Sequence, residues 1–172
     1  MWIFGYGSLM GDGWEMKLGC LRHCVATLGG YRRTFNKPST TNRGTKEFPC
    51  PTLNLEKDEA AVCRGVAFEF SDDRQDEVRN YLHDREGKAF PLEPVMIRLE
   101  DDVEVQAHVP LYRGNNVAPA ATAKTKAVMV RKATGTKSSC RDYVKQIAEL
   151  LERLGIEDSV VSALWEIGRA HV

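Results

Sequence analysis

Residues 1–10 read MWIFGYGSLM, an apolar run followed at once by a glycine-rich turn. The aromatic and β-branched residues Trp2–Phe4 favour a strand. Gly5 and Gly7 then bracket a tyrosine, and a serine and a leucine follow. Two closely spaced glycines let the backbone turn tightly, and such a turn can present several N–H groups to a carboxylate or a developing oxyanion. The segment therefore predicts a first strand that ends either in a simple tight turn or in a binding turn.

The glycine pair does not continue as a known nucleotide or nucleophile motif. No third glycine, lysine or hydroxyl residue follows at Walker or Rossmann spacing, which argues against a phosphate-binding NTPase. The segment also lacks the G-x-S-x-G elbow, and no base is spaced to activate Ser8. Ser8 is therefore not expected to be a nucleophile.

Strands outnumber helices in the predicted secondary structure. Apolar alternation bounded by turn residues predicts strands at residues 2–4, 25–35, 60–70, 95–100, 102–114 and 126–131. The segment 36–55 is rich in Pro, Asn, Thr and Gly, which indicates a long loop or short irregular strands. Gly65 interrupts its strand, which suggests a bulge or a close backbone approach.

Three helices complete the pattern. The first ends near Gly87, because glycine favours a helix C-terminus. The second starts at the capping pattern of Ser139 and Asp142, and Gly155 ends it. A third, short helix covers residues 156–165. No β-α-β alternation is evident, so the prediction is an α+β fold, with a curled sheet or barrel covered by a few helices.

Composition narrows the function classes. The chain has 172 residues, a formal net charge of zero and 42% hydrophobic residues, which fits one globular domain and gives no general attraction to nucleic acid. No apolar run approaches the roughly 20 residues of a membrane span. No basic leader precedes an apolar stretch, so we expect a cytoplasmic protein without a membrane partner. We expect the domain to cover residues 1–165 and the closing EIGRAHV, residues 166–172, to be a non-native tail, so His171 is left out of the site predictions.

Five scattered cysteines without a secretory signal predict reduced thiols. Cys20, His23 and Cys24 are close in sequence, but no second pair completes a tetrahedral zinc site, so no metal is expected.

Three further features each have a structural and a chemical interpretation. The pair Arg85-Glu86 ends the first helix and is either a solvated ion pair or the source of a general acid/base. A helix C-terminus disfavours the charged form of a carboxylate, which suits the second role if the side chain is buried.

The basic segment 28–45 is either solvated or one wall of a pocket for a substrate with carboxylates. Tyr143 is either a core residue or one whose hydroxyl reaches a cleft.

Together these segments resemble the γ-glutamylcyclotransferase superfamily, in particular its ChaC-type branch of cation transport regulator-like proteins. The resemblance covers roughly residues 1–165. It rests on FGYGSLM, LGGYRRTFNKPSTTNRGT with PTLNL, CRGVAFEF, YLHDREGKAFPLEPVMIRL and RDYVKQIAELLERLGIEDSVV. The combination of Y-G-S-L with a downstream R-E is its most specific part.

The resemblance implies a small mixed β-barrel with flanking helices, and neither a metal nor an organic cofactor. It implies that Glu86 is the catalytic acid/base. The implied substrate-binding residues are Tyr6, Gly7, Ser8, Leu9 and Tyr143.

The implied reaction is the intramolecular cyclisation of a γ-glutamyl group to 5-oxoproline. The expected substrate is glutathione, a small molecule that would release Cys-Gly. Two alternatives stay open at this point. The enzyme would act on γ-glutamyl amino acids or γ-glutamylamines, or the domain would bind γ-glutamyl compounds without turnover. Nothing in the sequence specifies an oligomeric state.

Overall fold

The computed structural model describes residues 1–119 and 121–169. Within these residues the chain forms five strands and four α-helices. The strands are β1 (Trp2–Gly5), β2 (Arg22–Ser39), β3 (Cys50–Glu69), β4 (Leu92–Leu99) and β5 (Glu104–Pro110). The helices are α1 (Gln75–Glu86), α2 (Ala123–Lys132), α3 (Cys140–Arg153) and α4 (Ser159–Arg169).

The strands close into a barrel in the order β1-β3-β2-β4-β5. β1 pairs antiparallel with β3 and parallel with β5, so the barrel is mixed. On β5, Ala107 and Val109 are fully buried, whereas Gln106 before them is exposed and His108 between them is only partly buried, as expected when alternate residues face the core. The predicted α+β fold with a small mixed barrel is confirmed.

Two compact units divide the chain, and each is described by itself. Unit 1 comprises Met1–Arg32 and Leu55–Gly114, and it holds the hydrophobic core of the barrel together with α1. Unit 2 comprises Arg33–Asn54 and the described residues from Asn115 onward, and it holds α2, α3 and α4. The single domain over residues 1–165 stays a prediction.

A buried ion pair and a helix cap lie together in unit 2. The Arg33 side chain is 1% exposed, and its Nη1 lies 2.9 Å from Asp158 Oδ2. The other carboxylate oxygen of Asp158 accepts the N–H groups of Val160 and Val161, each at 3.1 Å. Asp158 therefore caps α4 and neutralises a buried guanidinium at the same time.

The predicted last strand, residues 126–131, is wrong, because these residues lie in α2. The Thr122 side chain accepts the Thr125 N–H at 3.1 Å and caps the helix. Ala127 and Val130, three residues apart, are both buried on one helical face. The short apolar run matched both a strand and a helix, and the cap decided for the helix.

The segment 36–55, for which the sequence left a long loop or short irregular strands open, contains the ends of two strands and a shorter connection. β2 continues to Ser39 and β3 already begins at Cys50, so the connection covers residues 40–49 only. Polar side chains stabilise these strand ends: Thr52 Oγ1 donates to the Lys37 carbonyl at 2.7 Å.

The prediction of five reduced thiols is wrong for two of them. Cys50 and Cys140 form a disulfide with a Cα–Cα distance of 5.4 Å. The two cysteines are 90 residues apart, so their pairing follows from the fold of unit 2 and not from any local spacing. Cys20, Cys24 and Cys63 lie outside this disulfide.

The tail that the sequence predicts to be non-native is only partly described. Residues 166–169 belong to α4, and residues 170–172 lie outside the described part of the chain. In the described part, no helix has the length and apolar character that a membrane span requires.

Candidate active site

The glycine-rich turn after β1 is built by close backbone packing in unit 1. Residues Ser8–Met10 form a single 3₁₀ turn, and the Met10 N–H donates to the Gly7 carbonyl at 2.9 Å. A Cβ on Gly5 would lie 3.2 Å from Leu9, so the turn folds back onto the strand end. A Cβ on Gly65 of β3 would lie only 2.3 Å from the Gly5 carbonyl oxygen. The close approach suggested for Gly65 is therefore confirmed.

Two side chains of the turn fasten it to the barrel. Tyr6 is buried, and its hydroxyl donates to the Pro110 carbonyl at the end of β5 at 3.1 Å. Leu9 is also buried, whereas Ser8 between them is exposed. The burial of Tyr6 and Leu9 fixes the turn and leaves the Ser8 side chain on the accessible face.

An aromatic cluster around Trp14 packs next to the glycine-rich turn. Trp14 is 2% exposed, and its indole N–H donates to the Leu9 carbonyl at 2.9 Å. Its ring stacks on Tyr81 of α1 at 5.8 Å between centroids and also contacts Phe68 and Phe70. The sequence analysis missed Trp14, although a buried tryptophan needs a partner for its N–H and a carbonyl lay five residues away.

The candidate acid/base lies at the last residue of α1. Gly87 follows Glu86 with φ 87°, a conformation that glycine adopts readily, and its N–H closes the helix on the His83 carbonyl at 2.9 Å. The Glu86 side chain is 21% exposed, so it is partly shielded and still accessible to a small molecule.

Arg85 joins this glutamate to the glycine-rich turn. Its Nε lies 3.1 Å from Glu86 Oε1, and its Nη2 donates to Ser8 Oγ at 3.3 Å. The same Nη2 donates to Asp12 Oδ2 at 2.5 Å. The fold therefore brings Ser8 and Glu86, which are 78 positions apart in the sequence, to one guanidinium.

The Arg85 guanidinium keeps its positive charge. Partial burial of Arg85 would lower its pKa, but hydrogen bonds with Asp12 and Tyr81 outweigh it and raise the pKa above its usual value. Arg85 thus places a firm positive charge beside Glu86. The role of Glu86 as the acid/base stays a prediction.

Tyr143 occupies the first turn of α3, in unit 2. Its side chain is 8% exposed, and its hydroxyl accepts the Leu53 N–H of β3 at 3.0 Å. The Arg43 guanidinium lies over the ring at 5.3 Å from the centroid. Ser139 accepts the Asp142 N–H at 3.0 Å, which confirms the predicted cap of this helix. These contacts give Tyr143 a structural role within unit 2, and its predicted contact with substrate stays a prediction.

Three arginines of the basic segment 28–45 make separate polar contacts. Arg33 forms the buried ion pair with Asp158. Arg32 lies 2.7 Å from Glu56 in an exposed ion pair, and Arg43 donates to Ser138.

The described residues contain no group of His, Cys, Asp or Glu side chains arranged to hold a metal ion.

A family model of ChaC-like proteins matches residues 1–170. The chain belongs to the ChaC-like family. This ChaC-like chain is 32% identical over 179 residues to gamma-glutamylcyclotransferase 2-3 of Arabidopsis thaliana, covering 95% of the chain and 86% of that relative. It is 29% identical over 173 residues to the glutathione-specific gamma-glutamylcyclotransferase of Escherichia coli K12, covering 95% and 71%. The predicted family is therefore confirmed.

Solved structures show the same fold for this ChaC-like chain. The glutathione-specific γ-glutamylcyclotransferase from yeast superimposes with a TM-score of 0.84 at 19% identity, covering 100% of the chain and 98% of the yeast protein. A second structure, named gamma-glutamyl cyclotransferase, gives a TM-score of 0.52 at 13% identity, with 92% and 88% covered. At these identities the likeness establishes the fold alone.

Proposed function

We propose that this chain converts the γ-glutamyl group of glutathione into 5-oxoproline and releases Cys-Gly, with Glu86 as the general acid/base. The observation that carries the proposal is the Arg85 bridge, which joins Glu86 at 3.1 Å and Ser8 of the glycine-rich turn at 3.3 Å. A proton acceptor and a turn rich in N–H groups are thus held together. The names of the Arabidopsis and Escherichia coli relatives support the choice of reaction.

The substrate brings its own nucleophile. The α-amine of a γ-glutamyl group attacks the γ-carbonyl carbon and closes a five-membered ring, so the reaction is intramolecular and gains from proximity. The new C–N bond forms as the amide bond to the cysteinyl nitrogen breaks. No serine or cysteine of the protein has to attack, which agrees with an exposed Ser8 whose hydroxyl accepts a hydrogen bond from Arg85.

In this proposal, Glu86 transfers protons from the α-ammonium group to the cysteinyl nitrogen. The α-ammonium group cannot attack until it loses a proton, and the Glu86 carboxylate can accept it. The cysteinyl nitrogen receives this proton as the amide bond breaks and leaves as an amine. The ring nitrogen loses a second proton after the attack, and this proton also passes through Glu86 to the released amine. One carboxyl group thus serves first as base and then as acid, and it returns to its resting state after each turnover.

The glycine-rich turn supplies the hydrogen-bond donors for the negative charges of the substrate. Its internal hydrogen bond uses the N–H of Met10, so the N–H groups of Ser8 and Leu9 lie outside that bond. We assign them to the α-carboxylate of the substrate and to the oxyanion that develops on the γ-carbonyl. Tyr6 anchors the turn from within the barrel. Tyr143 remains a predicted substrate contact.

The test is a product assay with two substrates. The purified protein is incubated with glutathione or with γ-glutamyl-alanine, and 5-oxoproline, Cys-Gly and alanine are quantified by mass spectrometry. The proposal predicts 5-oxoproline and Cys-Gly in equal amounts, at a higher kcat/KM than for γ-glutamyl-alanine. A preference for γ-glutamyl-alanine would contradict the substrate. Thermal stabilisation by glutathione without any 5-oxoproline would contradict the reaction and indicate a binding module instead.

A further inference from the structure

We propose that Asp12 is a positioning residue of the active site: it anchors Arg85 so that Arg85 holds Glu86 in a fixed position relative to the Ser8 turn. This inference rests on the proposed function, in which Glu86 transfers the protons. Asp12 touches neither the reacting atoms nor Glu86 in this account, and acts only through the guanidinium.

The carboxylate of Asp12 is fixed at both of its oxygens. Oδ1 accepts the backbone N–H of Trp14 at 3.2 Å, and Oδ2 accepts from Arg85 Nη2 at 2.5 Å. Trp14 is itself buried and donates to the Leu9 carbonyl. Asp12 is therefore tied to the same aromatic support that carries the glycine-rich turn.

Arg85 needs such an anchor because its side chain is long. An arginine has many rotamers, and a contact between consecutive residues does not by itself fix the pair relative to the rest of the site. Asp12 supplies a third point, since Nη2 is shared between Asp12 and Ser8 while Nε contacts Glu86. Together with the hydrogen bond to Tyr81, these contacts on one planar guanidinium define its plane and hence the place of the carboxylate beside it.

The exposure of the pair separates its role in positioning from a role in stability. The side chain of Asp12 is 45% exposed and that of Arg85 is 20% exposed. Ion pairs at such sites contribute little to folding. Proton transfer depends much more steeply on position, because a displacement of about 1 Å in an active site can cost about a hundredfold in rate. Loss of the anchor is therefore expected to reduce turnover in a protein that remains folded.

The first variant is Asp12→Asn. The amide oxygen can still accept the Trp14 N–H, but the side chain no longer provides the charge for Arg85. We expect kcat with glutathione to fall about tenfold, which corresponds to about 1.36 kcal/mol. We expect KM to stay within about threefold and the melting temperature within about 4 °C. Asp84→Asn is the matched control, because Asp84 is an exposed carboxylate of α1 two residues before Glu86.

A double-mutant cycle shows whether Asp12 acts through Arg85. Arg85→Lys keeps the positive charge but removes the planar fork, so the anchor loses its specific partner. If the proposal is right, Asp12→Asn costs about tenfold in the wild-type background and less than about twofold in the Arg85→Lys background. A merely structural role for Asp12 would give the same fold-loss in both backgrounds.

The outcomes separate this inference from the proposed function. If the wild-type protein produces no 5-oxoproline from glutathione, the proposed function fails. If the wild type is active, two results overturn the role of Asp12: wild-type kcat in Asp12→Asn, or additive losses in the cycle. A loss in Asp84→Asn equal to that in Asp12→Asn would also overturn it, since a general charge effect would then explain both.

Discussion

Replacing Gly65 by alanine tests how tightly the strand and the glycine-rich turn are packed. The added Cβ would lie 2.3 Å from the Gly5 carbonyl oxygen and 2.8 Å from Phe4 Cζ. Real Cβ atoms essentially never come closer than 3.0 Å to another heavy atom, so β1 and β3 must separate here by at least the difference, 0.7 Å. The contact lies at Gly5, directly before Tyr6, so the separation acts on the start of the glycine-rich turn.

Two consequences follow from this shift. Overpacking in a buried region costs about 1–3 kcal/mol, so the melting temperature is expected to fall by about 2–12 °C in a chain of this size. The displaced turn also misplaces its N–H groups, and kcat/KM with glutathione is expected to fall about ten- to a hundredfold. The melting temperature is measured in a thermal scan followed by circular dichroism, and kcat/KM is measured at 25 °C on protein that the same method shows to be folded.

Gly29→Ala is the matched control for this prediction. Gly29 lies on β2, is exposed, and a Cβ there would meet no atom within 4 Å. We expect wild-type melting temperature and activity from this variant. The reasoning is refuted if Gly65→Ala matches Gly29→Ala in both measurements, because the close approach of Gly65 would then impose no constraint.

Three further predictions concern unit 2. Asp158→Ala leaves the buried Arg33 guanidinium without this carboxylate and should lower the free energy of unfolding by about 3–5 kcal/mol, whereas an exposed-site control such as Glu157→Ala should change it by less than about 0.5 kcal/mol. Tyr143→Phe removes the acceptor for the buried Leu53 N–H and should cost about 1–3 kcal/mol in urea unfolding; wild-type stability would contradict this hydrogen bond. Cys140→Ala opens a disulfide whose sequence separation is 90, and should cost up to about 4.6 kcal/mol by chain entropy. An equal loss on reduction of the wild type would support this value, and no loss would contradict it.

Local signals in the sequence were sufficient for several elements. The cap formed by Ser139 and Asp142 starts α3 as predicted, because an N-cap needs only residues three apart. The glycine after Glu86 ends α1 for an equally local reason. The strands β4 and β5 overlap the two strands predicted at residues 95–100 and 102–114, and Asp102 in the turn between them has φ 63°.

Features that depend on distant residues were not predictable in the same way. The disulfide of Cys50 joins segments that no spacing rule connects. The helix α2 was mistaken for a strand for a local reason instead, because a short apolar run suits both structures until the cap at Thr122 is considered. The anchor of Arg85 was missed because Asp12, its partner, lies 73 positions earlier in the chain.

The candidate site shows the same division. Alternation and glycine spacing were enough to nominate the turn of residues 6–9, but they gave no reason to connect it with Glu86. That connection came from the family resemblance, and the structure adds the guanidinium of Arg85 as its physical basis. A long charged side chain at a helix end is usually solvated, so the sequence could not distinguish this arginine from an ordinary surface residue.

The most direct test of the whole account is the turnover of Glu86→Gln with glutathione. Glutamine keeps the shape of the side chain but cannot carry the proton, so we predict a folded protein whose release of 5-oxoproline falls by about a hundredfold or more. Glu77→Gln, an exposed change on the same helix, should retain wild-type turnover. Wild-type release of 5-oxoproline by Glu86→Gln would contradict the account, because the proton would then travel by another group.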